Sequence, residues 1–143
     1  MTAIAAVLDH ASLAVSDLDA AIAFYTAAFG YEVLFRDTQD EAIATLTGVR
    51  GLRCALAQLR HPGDGTVLEL VRFDVPAGAD DDGPVRVGHG HVAMRVERLD
   101  DALRIVRALG ARPLGAGVTF PTGRAIYVRE PAGSVVELYA PAP

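Results

Sequence analysis

His10-Ala-Ser-Leu-Ala-Val-Ser-Asp-Leu-Asp-Ala-Ala-Ile22 returns later in the chain as His91-Val-Ala-Met-Arg-Val-Glu-Arg-Leu-Asp-Asp-Ala-Leu103. One constant offset pairs His10 with His91, Val15 with Val96, Leu18 with Leu99, Asp19 with Asp100 and Ala21 with Ala102. Self-similarity at a fixed spacing marks one structural unit used twice, with neighbouring copies burying each other's apolar faces. Residues 8–15 alternate as an extended strand in an apolar setting, which predicts a strand covered on both sides. A helix follows. Ser16 is its expected N-cap with Asp19 in the capping-box position, and Leu18, Ala21, Ile22, Tyr25 and Phe29 recur at helical spacing before Gly30 closes it. In the second copy Leu99, Ala102, Leu103, Val106 and Leu109 repeat the stripe and Gly110 takes the place of Gly30. Asp100 and Asp101 suit the positive end of that helix, although no Ser cap precedes them.

After each helix the pattern returns to short strands. The first half reads as Tyr31–Arg36, Ala42–Thr47, Leu52–Arg60 and Thr66–Phe73. The second reads as Arg112–Gly115, Val118–Phe120, Arg124–Glu130 and Ser134–Ala140, with Pro131-Ala-Gly133 as the last turn. The expected fold is therefore α+β, with two tandem β-α-β-β-β modules over about 1–74 and 88–143. The Pro- and Gly-rich stretch 75–87 forms the linker. All 143 residues fit one domain.

Composition excludes several classes of function. With 51% hydrophobic and 22% charged residues the chain is globular rather than disordered. No stretch is long and apolar enough to span a bilayer, and residues 3–8 lack the basic leader of a secretory signal, so a cytoplasmic location is expected. Net charge is −5 with scattered Arg, which argues against nucleic acid as a partner. All 13 basic residues are Arg, and without lysine Schiff-base chemistry is excluded. The single cysteine, Cys54, allows no internal disulfide and reads as a buried apolar residue. His61 stands in a Pro-Gly turn and is expected to be exposed, and Asp80–Asp82 to be solvated linker.

Glu69 lies within Val67-Leu-Glu-Leu-Val71 and Glu137 within Val135-Val-Glu-Leu-Tyr139, one carboxylate in an apolar strand at the end of each half. A carboxylate in such a setting costs several kcal/mol unless it is paired or coordinates a metal. Taken singly, each Glu could be an exposed sheet residue and each His a hydrogen-bonded core group. Together, His10, Glu69, His91 and Glu137 recur at matching places in both units and suit one divalent ion such as Ni, Co, Fe, Mn or Zn. On a six-coordinate ion they leave two positions for a substrate with neighbouring oxygens. Ser12 shares the face of His10, Tyr139 that of Glu137, and His89 that of His91, so these are candidate contacts to substrate or metal.

The runs Leu8–Tyr25, Gly90–Val96 and Tyr127–Leu138 resemble the vicinal oxygen chelate superfamily, which includes glyoxalase I, epimerases, extradiol dioxygenases and fosfomycin and bleomycin resistance proteins. The resemblance implies a curved half-barrel around the metal and assigns ligand roles to His10, Glu69, His91 and Glu137. It also places the segment Gly115–Arg124 beside the active site, making Phe120 and Arg124 candidate substrate contacts. The implied activity is that of a metal-dependent isomerase or lyase on a small carbonyl compound, with Glu69 or Glu137 as general base. Ring cleavage at Fe(II) and metal-free binding of a small molecule are the alternatives, and a homodimer is expected by analogy, with the site either within one chain or drawing one unit from each of two. Metal-binding residue types at all four positions disfavour the metal-free branch and fit imperfectly with the three-ligand dioxygenases.

Overall fold

A computed structural model describes residues 10–42, 50–74, 91–120 and 123–143. The first half contains β1 (Ala11–Ala14), α1 (Leu18–Phe29), β2 (Glu32–Gln39), β3 (Cys54–Arg60) and β4 (Val67–Phe73). The second contains β5 (His91–Arg95), α2 (Leu99–Ala108), β6 (Arg112–Pro113), β7 (Val118–Phe120), β8 (Gly123–Arg129) and β9 (Val135–Pro141). One sheet runs β1-β4-β3-β2 and the other β5-β9-β8-β6, with β7 also on β8, so the described residues form two open sheets and no closed barrel. In each half the first strand lies parallel to the last, β1 on β4 and β5 on β9, while the other neighbours are antiparallel. This is the α+β architecture the repeat predicts. The expected strand at 42–47 falls almost wholly outside the described residues, as do the linker, Asp80–Asp82 and His89.

Local chemistry explains the helix ends and corrects two expectations. Asp17, not Ser16, caps α1, its carboxylate accepting the Ala20 N–H at 2.9 Å. Ser16 is occupied elsewhere, since its backbone N–H and hydroxyl both donate to the Ala132 carbonyl at 2.8 Å. Asp19 makes no capping box and pairs with Arg36. Gly30 ends the helix in the left-handed region at φ 74°. At α2, Arg98 holds the N-cap position without a side-chain capping bond and pairs instead with Asp101 at 3.0 Å, and Gly110, one residue past the cap, is left-handed at φ 95°. Strand β1 also departs from expectation, because Ser12 and Ala14 are exposed and only its other face is covered.

Alternate residues of each sheet supply one shared core. Leu68 and Leu70 of β4 and Ala57 and Leu59 of β3 pack with Ala21, Phe24 and Tyr25 of α1. Val136 and Leu138 of β9 and Val128 of β8 join the same cluster, with Leu99 and Val106 of α2. Because side chains alternate across a strand, Glu69 and Glu137 necessarily project from the faces turned away from this core. Cys54 is buried as expected, with Leu56, Val71 and Phe73 on the Glu69 face of the first sheet, and burial pushes its thiol pKa up. Among the described residues no helix is long and apolar enough to cross a membrane.

Tyr25 is fully buried, its ring edge-on to Phe24 and Tyr31 at 5.4 and 6.3 Å. Among the described residues its hydroxyl has no hydrogen-bond partner, and burial, reinforced by the nearby Glu130 carboxylate, raises its pKa. Tyr25→Phe keeps the ring packing and deletes a desolvated hydroxyl. It is therefore expected to stabilise the fold by about 1 kcal/mol, seen as a higher thermal midpoint. A lower midpoint would contradict this assignment.

Candidate metal centre

The parallel pairing of β1 with β4 sets Ser12 directly opposite Glu69, and the antiparallel pairing of β3 with β4 sets Gln58 on its other side. Both reach the carboxylate: the Ser12 hydroxyl donates to Oε1 and the Gln58 amide to Oε2, each at 3.0 Å. His10, one residue before β1, brings Nε2 to 3.7 Å from Glu69 Oε2. Glu69 is thus fixed by two side-chain donors beside an imidazole.

The second sheet repeats the arrangement with different neighbours. Ala93 and Tyr127 flank Glu137 where Ser12 and Gln58 flank Glu69. His91 Nε2 lies 3.1 Å from Glu137 Oε2, and its ring packs against Tyr127 with centroids 4.8 Å apart. The side chains of His10 and His91 are 31% and 30% exposed, and those of Glu69 and Glu137 18% and 21%, so each His–Glu pair is open to a ligand from solvent.

Imidazole nitrogen beside carboxylate oxygen, with no thiolate, is a donor set that fits a borderline divalent ion. The four residues occur, however, as two pairs. Among the described residues no three His, Cys, Asp or Glu side chains converge closely enough to hold a metal. The shared core explains this separation, since it backs both sheets on the side opposite the carboxylates.

The other candidates divide between the two sides. Ser12 contacts Glu69 itself, and Tyr139 lies on the Glu137 face of β9, opposite Arg95 and Ala125. Arg124 alternates with Ala125 and faces the opposite side, where it pairs with Asp100 of α2 at 3.5 Å. Phe120 ends β7 opposite Gly123. His61 is half-buried rather than exposed, with its ring 5.3 Å from that of Tyr31 and Nδ1 accepting the Gly63 N–H at 3.1 Å. Sequence reasoning missed Gln58, although it is the one uncharged polar residue in a strand that is apolar up to its final Arg60, and missed Tyr127.

Two cavities border these groups. One, of about 710 Å³, opens between the halves with His10 on its wall beside Tyr31, Leu68, Val92 and Met94. The other, of about 380 Å³, lies on the second sheet with Glu137 on its wall.

Residues 7–138 match the family model described as the glyoxalase/bleomycin resistance protein/dioxygenase superfamily. The chain belongs to this superfamily. A glyoxalase family protein from Bacillus cereus is 26% identical, with a TM-score of 0.77 over 95% of this chain and 94% of its own. A glyoxalase/bleomycin resistance protein/dioxygenase domain from Frankia sp. is 23% identical, with a TM-score of 0.72 over 97% and 94%. The fosfomycin resistance protein FosX from Listeria monocytogenes, a mutant form solved with Mn(II) and 1S,2S-dihydroxypropylphosphonic acid, shares the fold at 17% identity and a TM-score of 0.67 over 97% and 93%. No curated protein sequence matches the chain.

Proposed function

We propose that this superfamily member is a divalent-metal-dependent isomerase or lyase acting on a small carbonyl compound. We further propose that its metal centre forms between two copies of the chain. His10 and Glu69 of one copy and His91 and Glu137 of the other supply the four donors. The observation that carries the reading is the placement of both His–Glu pairs on sheet faces turned away from the common core. A second copy laid against those faces could unite one pair from each chain, and the homodimer would then hold two such centres.

A divalent ion held there supplies Lewis acidity to two neighbouring oxygens of the substrate. The chain's own residues divide the remaining work. Ser12 and Gln58 hold Glu69 in one orientation, which suits a carboxylate that anchors. Glu137, contacted by one imidazole at 3.1 Å, is assigned to removing the proton from the carbon beside the carbonyl and returning it.

Deuterium uptake into hydroxyacetone and 3-hydroxy-2-butanone, followed by mass spectrometry, tests this assignment. Uptake is expected to require added metal, to stop with a chelator, and to fall at least 100-fold in Glu137→Gln while that variant still binds metal. Stoichiometric oxygen consumption in place of exchange would overturn the reading in favour of ring cleavage.

A further inference from the structure

The cavity beside Glu137 is chemically one-sided. Its walls are Leu114, Ala116, Val118, Ala125 and Tyr127, and among the described residues Glu137 is its only charged group. Leu114 and Val118 are 43% and 50% exposed, large apolar side chains left open on the sheet face that carries the carboxylate. Pairing of β7 with β8 sets Val118 opposite Ala125, which in turn lies opposite Tyr139, so the apolar surface is continuous with the face of Glu137. At about 380 Å³ it can take a ring or a short branched chain, and among the described residues no cation lines it to meet an anionic group.

We infer that this cavity is the specificity subsite of the proposed reaction and that it receives an uncharged apolar substituent of the substrate. The substrate class narrows accordingly to compounds with two neighbouring oxygens carrying an aryl or branched alkyl group, and excludes those whose substituent at this position is a carboxylate, phosphate or phosphonate. Tyr127 serves two sides, packing against His91 and forming one wall of the subsite. The inference rests on the metal reading above, and the test separates the two.

Hydroxamates present two neighbouring oxygens to a bound metal and differ only in what they carry. Calorimetric titration of the Zn(II)-loaded protein with acetohydroxamate, benzohydroxamate and 4-carboxybenzohydroxamate compares a methyl group, an apolar ring and a ring bearing an anion. Benzohydroxamate is expected to bind roughly 20-fold more tightly than acetohydroxamate, because the ring leaves water, and the 4-carboxy compound to lose that gain. In Val118→Arg the preference should reverse: relative to acetohydroxamate, benzohydroxamate weakens about tenfold and the 4-carboxy compound tightens. Equal binding of acetohydroxamate and benzohydroxamate, or undiminished binding of the 4-carboxy compound by the unaltered protein, would overturn the subsite alone. Failure of all three to bind the metal-loaded protein would overturn the metal reading and the subsite with it.

Discussion

Glu130→Ala is expected to lower the unfolding free energy by about 3 kcal/mol, a large share of what holds a domain of this size together. Glu130 is 1% exposed and sits in the turn between β8 and β9, where its two carboxylate oxygens accept the backbone N–H groups of Ala132 and Ser134. That turn is also the joint between the halves. Ser16 donates to the Ala132 carbonyl, and the Ser134 hydroxyl donates to the Ala14 carbonyl at 3.1 Å. Alanine would leave two buried N–H groups without acceptors and loosen the contact that orients one repeat on the other. Glutamine keeps one acceptor oxygen at the turn, so Glu130→Gln should resist chemical denaturation better than Glu130→Ala.

The pH dependence of that comparison has a definite sign. Burial pushes the Glu130 carboxyl pKa up, and the N–H bonds only partly oppose the shift. The folded state therefore holds the proton more tightly than the unfolded chain, and this contribution is complete below the unfolded pKa and lost as pH rises through the folded one. The stability of the unaltered protein relative to Glu130→Gln should accordingly fall as pH rises from about 4, where an unfolded glutamate titrates. A relative stability that rose with pH would contradict the assigned direction.

The second large effect is on metal. His91→Ala removes an imidazole that lies 3.1 Å from Glu137 and packs on Tyr127 without belonging to the core. The fold should survive while affinity for the divalent ion falls by three orders of magnitude or more, since one of four protein donors is gone. His10→Ala should behave alike from the other half. Ser12→Ala and Gln58→Leu, which disturb the residues holding Glu69, should cost roughly 10- to 100-fold. Metal content by mass spectrometry of each purified variant reads these differences, and unchanged content in His91→Ala would remove that residue from the site.

Much of this was legible in the chain because the repeat states it twice. The helical stripes, the succession of a helix and short strands in each half, and the carboxylates of Val67-Leu-Glu-Leu-Val71 and Val135-Val-Glu-Leu-Tyr139 follow from local periods of 3.6 and 2. What failed depended on contacts across the molecule. Ser16 looks like a cap until Ala132, far along the chain, takes its hydroxyl. Glu130 closes a strand like any polar residue, and only the packed turn makes it indispensable. A period of 2 places His10 with Ser12 and separates Arg124 from Ala125, but it does not say which face meets the core. For that reason the sequence names the four donors without saying whether one chain or two bring them together, and the folded chain holds them as two pairs facing away from a shared interior.

The division into pairs leads directly to a mixing experiment. His10→Ala and His91→Ala each disable every centre in their own homodimers. If each centre draws one pair from each chain, dissociating and reassociating a mixture of the two variants creates mixed dimers. In those dimers an intact first half meets an intact second half. Metal binding should then return to one tight site per mixed dimer, alongside a second site broken on both sides. If each centre lies within one chain, both chains of the mixed dimer remain defective, and the absence of any recovered metal binding would contradict a centre shared between two copies.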